Sequence, residues 1–135
     1  MRRALARVIG ETDKASVVVD GHYAPAVTPK DYVSRIFVLR RDPRELRKFM
    51  EKCGFSEAKM RENLEAEVLD VCLVEALREN DKSNVCELDI TGKTAEQILN
   101  EMLDILDNRE ACGVGHIDWL DVLENAGVLD DYLRT

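Results

Sequence analysis

Long apolar runs are missing from this sequence of 135 residues. Its apolar stretches are only a few residues long, far short of the roughly 20 residues that a membrane-spanning helix needs. The start Met1-Arg2-Arg3-Ala4-Leu5 also lacks the apolar stretch of a signal peptide. These absences predict a protein with no membrane partner that is located in the cytoplasm, or in the nucleus if the source is a eukaryote.

Aromatic residues are scarce, at 5% of the chain, and the sequence has no internal repeat and no low-complexity segment. Hydrophobic residues make up 45% and charged residues 34%, which is the composition of an ordinary globular protein and argues against disorder. A chain of this length is long enough for one hydrophobic core. We therefore expect a single domain over residues 1–135.

The four cysteines stand far apart, at positions 53, 72, 86 and 112, and none forms a Cys-x-x-Cys pair. Without a secretory context, such spacing predicts reduced thiols rather than a disulfide framework. Cys112 and His116 share a glycine-rich segment and have the spacing of two metal ligands, but no second pair has the spacing of a zinc site. Plain thiols are the better interpretation.

The net charge of −8 is distributed unevenly along the chain. Residues 1–29 carry a charge of +1, residues 30–61 carry +5, and residues 62–135 carry −14. The basic segment (residues 30–61) has the charge to neutralise phosphates, whereas the acidic segment (residues 62–135) would repel a nucleic-acid backbone and attract a basic protein. The alternative is that most of these side chains are solvated helix faces.

Strand and helix patterns alternate along the chain, which predicts an α/β fold with a parallel sheet. The predicted strands are the β-branched and apolar runs at 17–19, 35–39 and 84–89. Helix-capping sequences mark the helices between them, at Asp42-Pro43, Ser56, and Thr94-Ala95-Glu96-Gln97. The predicted helices are 2–9, stopped by Gly10; 43 to about 52; 56 to about 79; one that begins at Thr94; and a short one near 118–125.

Asp20 follows directly after the strand pattern Val17-Val18-Val19. An acid in this position is delivered to the carboxyl edge of a parallel sheet, where ligands bind in α/β proteins. Asp20 is therefore a candidate for holding Mg²⁺ through water, with His22 beside it. Asp20 could instead cap a helix, and a loop histidine is often a structural hydrogen-bonding residue.

An ordered set of motifs resembles a family of adenylate-kinase-related ATPases of archaea and eukaryotes that assist maturation of the small ribosomal subunit. The eukaryotic member of that family is the coilin-interacting nuclear ATPase. The resemblance covers roughly Val17 to Leu106, and its motifs are Val17-Val18-Val19-Asp20-Gly21-His22, Phe37-Val38-Leu39-Arg40, Gly54-Phe55-Ser56 and Glu62-Asn63-Leu64-Glu65-Ala66-Glu67.

The resemblance implies a three-layer α/β fold of the phosphate-loop (P-loop) nucleoside monophosphate kinase type, with a kinase-like core over about 1–107 and a helical extension over about 108–135. It implies the reaction of ATP and AMP to two ADP, ATPase activity, and the use of Mg²⁺. It also implies a basic small-subunit ribosomal protein as a partner. The acidic charge of residues 62–135 predicts no direct contact with nucleic acid.

Residue roles follow from the same resemblance. Asp20 and His22 match the catalytic Asp-x-His motif, in which the acid lies near Mg²⁺. Arg40 matches an arginine that pairs with phosphate, and Thr91, Gly92 and Lys93 match the loop that holds the adenine of ATP. The lid of the family corresponds to the segment from Cys53 through Glu67, and the candidate lid residues are Lys52, Gly54, Phe55 and Arg61. The arginine that family members usually have before the Gly-aromatic pair is replaced here by Cys53.

A phosphate-binding loop of the form Gly-x-x-x-x-Gly-Lys-Ser/Thr is absent from the 135 residues. Gly92-Lys93-Thr94 matches the end of that motif, but Glu87 stands where its first glycine belongs. The backbone N–H groups and lysine of this loop position and neutralise the phosphates during phosphoryl transfer. We therefore expect a fold that lacks its first βα unit and a chain that is inactive alone.

The sequence leaves three interpretations open. The chain is the C-terminal part of a nucleotide kinase, or a noncatalytic module that binds a basic ribosomal protein, or a structural subunit that completes its sheet by forming a homo-oligomer or by pairing with another polypeptide.

Overall fold

A computed structural model describes residues 17–133 of the chain. Two parallel strands, β1 (Ile36–Arg40) and β2 (Val85–Asp89), form its sheet, with Ile36 opposite Val85 and Arg40 opposite Asp89. The helices are α1 (Ala24–Val27), α2 (Pro43–Lys52), α3 (Glu57–Val68), α4 (Val71–Glu79), α5 (Ala95–Leu106) and α6 (Trp119–Asn125). Short 3₁₀ turns occupy Lys30–Tyr32, Lys82–Asn84 and Leu129–Asp131.

Helices cover both faces of the sheet. Side chains alternate between the two faces of each strand, so each strand contributes apolar residues to both layers of packing. On one face, Val38 and Val85 pack against Leu73 and Ala76 of α4. On the other face, Cys86 and Leu88 pack against Ile105 of α5, joined by Phe37, Ile90, Met102 and Cys112. The predicted α/β class and the parallel pairing are confirmed in this layered arrangement of helix, sheet and helix.

The predicted strand over Val17–Val19 is wrong for the structure described. These residues have no regular secondary structure, and Val18 is 91% exposed. A β-branched run becomes a strand only when a neighbouring strand accepts and donates its backbone hydrogen bonds. The predicted helix over residues 2–9, which Gly10 was expected to stop, lies outside the described residues.

The predicted long helix from Ser56 to Glu79 is divided into α3 and α4 at Asp70. Asp70 has φ 58°, in the left-handed region, which aspartate adopts more readily than most residues. Its carboxylate binds the side chain of Arg40. The break therefore places Asp70 where it can contact a residue of β1.

The predicted helix starts are confirmed, because each capping side chain makes its expected bond. Asp42 accepts from the backbone N–H of Arg44, and Ser56 accepts from that of Lys59. Asp118, which the sequence patterns did not mark as a cap, accepts from the N–H of Asp121. At the start of α5, Thr94 accepts from the N–H of Gln97, and the side chain of Gln97 accepts from the N–H of Thr94. This reciprocal pair is the predicted capping box.

We expect Thr94→Ala to lower the free energy of unfolding by about 1 kcal/mol, because the first turn of α5 loses its cap. The measurement is urea unfolding followed by circular dichroism. Thr94→Ser, which keeps the hydroxyl, is the control and should stay within about 0.5 kcal/mol of the parent. Equal losses in the two variants would contradict the capping role of the hydroxyl.

Cys86 and Cys112 form a disulfide with their Cα atoms 5.5 Å apart, so the prediction of reduced thiols is wrong for this pair. Cys53 and Cys72 are free. The sequence separation of 26 residues conceals the contact, which exists because the segment after α5 returns along β2. There the backbone N–H of Glu87 donates to the carbonyl of Gly113 over 3.0 Å.

No helix among residues 17–133 has the length and apolar character to cross a membrane.

Candidate functional site

The carboxyl ends of β1 and β2 lie side by side at one edge of the sheet. Arg40 is opposite Asp89, and the backbone N–H of Ile90 donates to the carbonyl of Arg40 over 2.8 Å. The loop that contains Thr91, Gly92 and Lys93 follows directly. The structure thus brings together the four residues that the family resemblance assigned to nucleotide binding, at the edge where α/β proteins bind ligands.

The Arg40 side chain is almost completely buried, with 1% of its surface exposed. Its Nε donates to Glu67 Oε1 over 2.8 Å, and its Nη1 donates to Glu87 Oε2 over 2.5 Å. Its Nη2 donates to Asp70 Oδ1 over 2.6 Å and to the backbone carbonyl of Glu67 over 3.0 Å. We call these four residues the Arg40 cluster.

Electrostatics in the Arg40 cluster favour the charged guanidinium. Burial by itself lowers the pKa of Arg40, but hydrogen bonds and charge from Glu67 and Asp70 outweigh it and raise this pKa above its ordinary value. Because one cation faces three carboxylates, the cluster would repel a phosphate rather than attract it. This geometry argues against a direct phosphate contact by Arg40 unless its guanidinium leaves the carboxylates.

The cluster also joins distant parts of the chain. Glu67 Oε1 accepts from the indole N–H of Trp119 over 2.8 Å and from the backbone N–H of Arg41 over 3.2 Å. The backbone N–H of Gly115 donates to Glu87 Oε1 over 2.6 Å. Buried carboxylates need such partners, since an unpaired buried charge is costly.

The loop after β2 is held by its own hydrogen bonds. Asp89 Oδ1 accepts from the N–H of Thr91 over 3.0 Å and from its hydroxyl over 2.6 Å, and that hydroxyl accepts from the N–H of Asp42. Gly92, which has φ 70°, donates its N–H to the carboxylate of Glu45. Thus the N–H groups of Thr91 and Gly92 already have carboxylate partners.

Two separate ion pairs lie around this loop, one made by Lys93 and one at the start of α2. Lys93 Nζ lies 2.9 Å from Glu101, and Arg44 lies 2.7 Å from Asp42. The hydrogen bond from the Arg44 side chain is the main cause that holds the pKa of Asp42 below its ordinary value. The loop is therefore a compact turn held by hydrogen bonds to carboxylates, and its lysine is exposed.

Asp20 and His22 lie on the α4 side of the molecule. His22 Nδ1 is 3.8 Å from Cys72 Sγ, in the first turn of α4, and both Asp20 and His22 are exposed. Burial raises the pKa of the Cys72 thiol, so the imidazole faces a neutral thiol. Among residues 17–133 no cluster of three or more His, Cys, Asp or Glu has the geometry of a metal site. The assignment of Mg²⁺ to Asp20 stays a prediction.

The four predicted lid residues lie together around the turn between α2 and α3. Lys52 ends α2, Gly54 has φ 75°, and the N–H of Phe55 donates to the carbonyl of Met50. Phe55 is 40% exposed, and Lys52 and Arg61 are exposed too. At the other end of α3, Glu67 binds the buried side chain of Arg40. The turn is thus exposed, while the far end of the helix that follows it is held against the sheet.

Sequence reasoning missed the acidic half of the Arg40 cluster and its link to Trp119. One signal was present: Glu87 interrupts the apolar pattern of a strand that is otherwise buried, and a buried acid requires a cationic or N–H partner. The identity of that partner depends on the parallel pairing of β1 with β2, which local patterns do not contain.

Two parallel strands with helices packed on both faces define the chain as an α/β protein, the class in which ligands bind at the carboxyl edge of the sheet. No family model matches the chain. Three curated relatives, each named "Putative adenylate kinase", support a closer assignment. The protein from Thermococcus gammatolerans is 41% identical over 109 residues, which is 81% of this chain and 58% of that protein. The protein from Pyrococcus furiosus is 41% identical over 119 residues, 88% of this chain and 61% of that protein.

The third relative, from Methanosarcina acetivorans, is 35% identical over 133 residues, which is 90% of this chain and 68% of that protein. The chain belongs to this adenylate-kinase-related family. It spans about three fifths of the length of the first two relatives.

Proposed function

We propose that this chain contributes the lid, the adenine loop and the Asp-x-His motif of an adenylate kinase that converts ATP and AMP to two ADP with Mg²⁺. The identity of 41% over 109 residues to a protein named "Putative adenylate kinase" is the observation that carries the proposal. The arrangement of Arg40 and Thr91–Lys93 at one carboxyl edge is compatible with it.

Each side chain has a role in the proposal. Asp20 holds Mg²⁺ through water and His22 assists hydrolysis of ATP. Thr91, Gly92 and Lys93 border the adenine, and Lys52, Gly54, Phe55 and Arg61 close over the phosphates. Arg40 joins β1 to α3 through its bonds to the carboxylates of the Arg40 cluster. It reaches phosphate only if its guanidinium leaves those carboxylates.

The proposal includes a dependence on a phosphate-binding loop. The 135 residues contain no Gly-x-x-x-x-Gly-Lys-Ser/Thr sequence, and Glu87, at the position of its first glycine, lies inside β2 and binds Arg40. The partial match at Gly92-Lys93-Thr94 therefore cannot wrap a phosphate. We propose that the fold is of the P-loop kinase type without its first βα unit in these residues, and that the chain alone is inactive.

A noncatalytic role as a protein-binding module is the second candidate, and the surface of α5 favours it. Leu99, Leu103 and Leu106 are exposed on this helix, within the acidic segment that carries −14. A basic partner with apolar side chains complements such a surface. In this proposal the partner is a basic small-subunit ribosomal protein, and the role lies in ribosome assembly.

Calorimetric titration of ATP with Mg²⁺ tests the kinase proposal. We expect no measurable heat with the 135-residue chain, and binding by a version extended upstream in its gene to the next possible start, if that extension contains a phosphate loop. In the extended form, Asp20→Asn should abolish ADP formation in a coupled assay, whereas Asp31→Asn, an exposed acid in the turn before β1, should not.

Binding of ATP by the 135-residue chain would contradict the requirement for a phosphate loop. If an extended form that contains such a loop did not bind ATP, the kinase proposal itself would be contradicted and the protein-binding module would be favoured.

A further inference from the structure

We propose that the Cys86–Cys112 disulfide is a reversible thiol–disulfide switch, and that its reduction by a dithiol releases the tail segment (residues 111–117) from the outer edge of β2. The disulfide is in place in the structure, and it joins the buried strand to a segment without helix or strand structure. This inference does not depend on the kinase proposal.

Few attachments hold the tail segment beside β2. The N–H of Glu87 donates to the carbonyl of Gly113 over 3.0 Å, and the N–H of Gly115 donates to Glu87 Oε1 over 2.6 Å. Val114 packs against the core cluster of Val38. Because the segment has no internal ladder of hydrogen bonds, the covalent link contributes a large part of what keeps it in place.

The two sulfurs differ in access, and this difference sets the course of reduction. Cys86 is fully buried in β2, whereas Cys112 is partly exposed. An incoming thiolate therefore reaches Cys112 Sγ first and forms a mixed disulfide there, while the sulfur of Cys86 departs and takes a proton. The second thiol of the dithiol then attacks the mixed disulfide and releases the Cys112 thiol. The dithiol becomes a cyclic disulfide, and two electrons and two protons have passed to the protein.

The departing sulfur of Cys86 lies among apolar side chains, which disfavour a thiolate. Reduction in the folded protein should therefore be slow and should accelerate when the tail segment opens. In the reverse direction, glutathione disulfide supplies the oxidising equivalents, because two successive exchanges restore the bond and leave two molecules of glutathione.

Release of the tail segment changes the surroundings of the Arg40 cluster. Glu87 accepts from Gly115 at one carboxylate oxygen and from Arg40 at the other. When Gly115 leaves, Oε1 of the fully buried Glu87 carboxylate loses its hydrogen-bond partner, which favours the entry of water at that edge of β2. The switch thus couples the thiol state to the carboxylate that holds Arg40.

The experiment uses the 135-residue chain with Cys53→Ser and Cys72→Ser, so that only the pair of interest remains. One sample is equilibrated with glutathione disulfide and the other with dithiothreitol, and mass spectrometry after alkylation counts the thiols. We expect the backbone N–H groups of Glu87 and Gly115 to exchange with deuterium about 10-fold faster or more after reduction. The N–H of Leu46, in α2, is the internal control and should not change.

Cys112→Ser in the same background should show the fast exchange under both conditions. Three results would overturn the proposal. They are two free thiols after treatment with glutathione disulfide, equal exchange of Glu87 and Gly115 in the two states, and an equal acceleration at Leu46, which would mean that the bond only supports global stability.

Discussion

Arg40→Met is expected to lower the free energy of unfolding by about 3–5 kcal/mol at neutral pH. Methionine keeps the apolar stem of the side chain but has no guanidinium, so Glu87 and Glu67 lose the cation that compensates them. Glu87 has no exposed side-chain surface. Removing the cationic partner of a buried carboxylate is strongly destabilising, because it leaves a buried charge without compensation. Urea unfolding followed by circular dichroism measures the loss.

Two comparison variants separate burial from charge. Arg41→Met removes the neighbouring arginine, which forms a partly exposed pair with Glu45, and should cost about 1 kcal/mol or less. Arg40→Met combined with Glu87→Gln should be more stable than Arg40→Met alone, because the most buried acid no longer carries a charge. Similar losses for Arg40→Met and Arg41→Met would refute the cluster as a stabilising unit.

Trp119→Ala is expected to cost about 3–5 kcal/mol, the usual range for truncating a buried aromatic side chain. The indole is 6% exposed, and its N–H donates to Glu67 Oε1, so the substitution removes both packing and a partner of a charged group. Thermal or urea unfolding is the measurement, with circular dichroism as the signal because the only tryptophan of the chain is lost.

Trp119→Phe and Leu120→Ala are the matched variants for this prediction. Phenylalanine keeps most of the ring but cannot donate to Glu67, and should cost about 1–2 kcal/mol. Leu120, the next residue, is exposed, and its truncation should change stability by about 0.5 kcal/mol or less. If Trp119→Ala proved as mild as Leu120→Ala, α6 would contribute nothing to the folded body.

The features that sequence patterns predicted correctly depend on neighbours along the chain. Asp42, Ser56 and Thr94 each cap a helix three residues or fewer away, and the apolar runs of β1 and β2 are long enough to mark strands. The features that were missed depend on distant residues. Val17–Val19 has the composition of a strand but no partner among the described residues, and the break at Asp70 accompanies a bond to Arg40 across 30 residues.

The candidate site shows the same division. The family resemblance assigned Arg40 and Thr91–Lys93 to one nucleotide site, and in the structure they lie at one edge because the parallel strands end on the same side. Local motifs could not show that three carboxylates converge on Arg40, since Glu67, Asp70 and Glu87 come from a helix end, a helix break and a strand. The Cys86–Cys112 bond was hidden for the same reason, because only the return of the tail segment along β2 brings the sulfurs together.

The single oxygen Oε1 of Glu67 has a consequence for the order of folding. It accepts from Arg40, 27 residues away, and from Trp119, 52 residues away, so its partners converge only after two large loops have closed. Closing such loops costs chain entropy before any contact offsets it, and contacts of high sequence separation slow folding. The helices with strong caps are local and need no such closure. We therefore expect the contacts of the Glu67 carboxylate to form late in folding, after the capped helices, because no helix or strand makes them by itself.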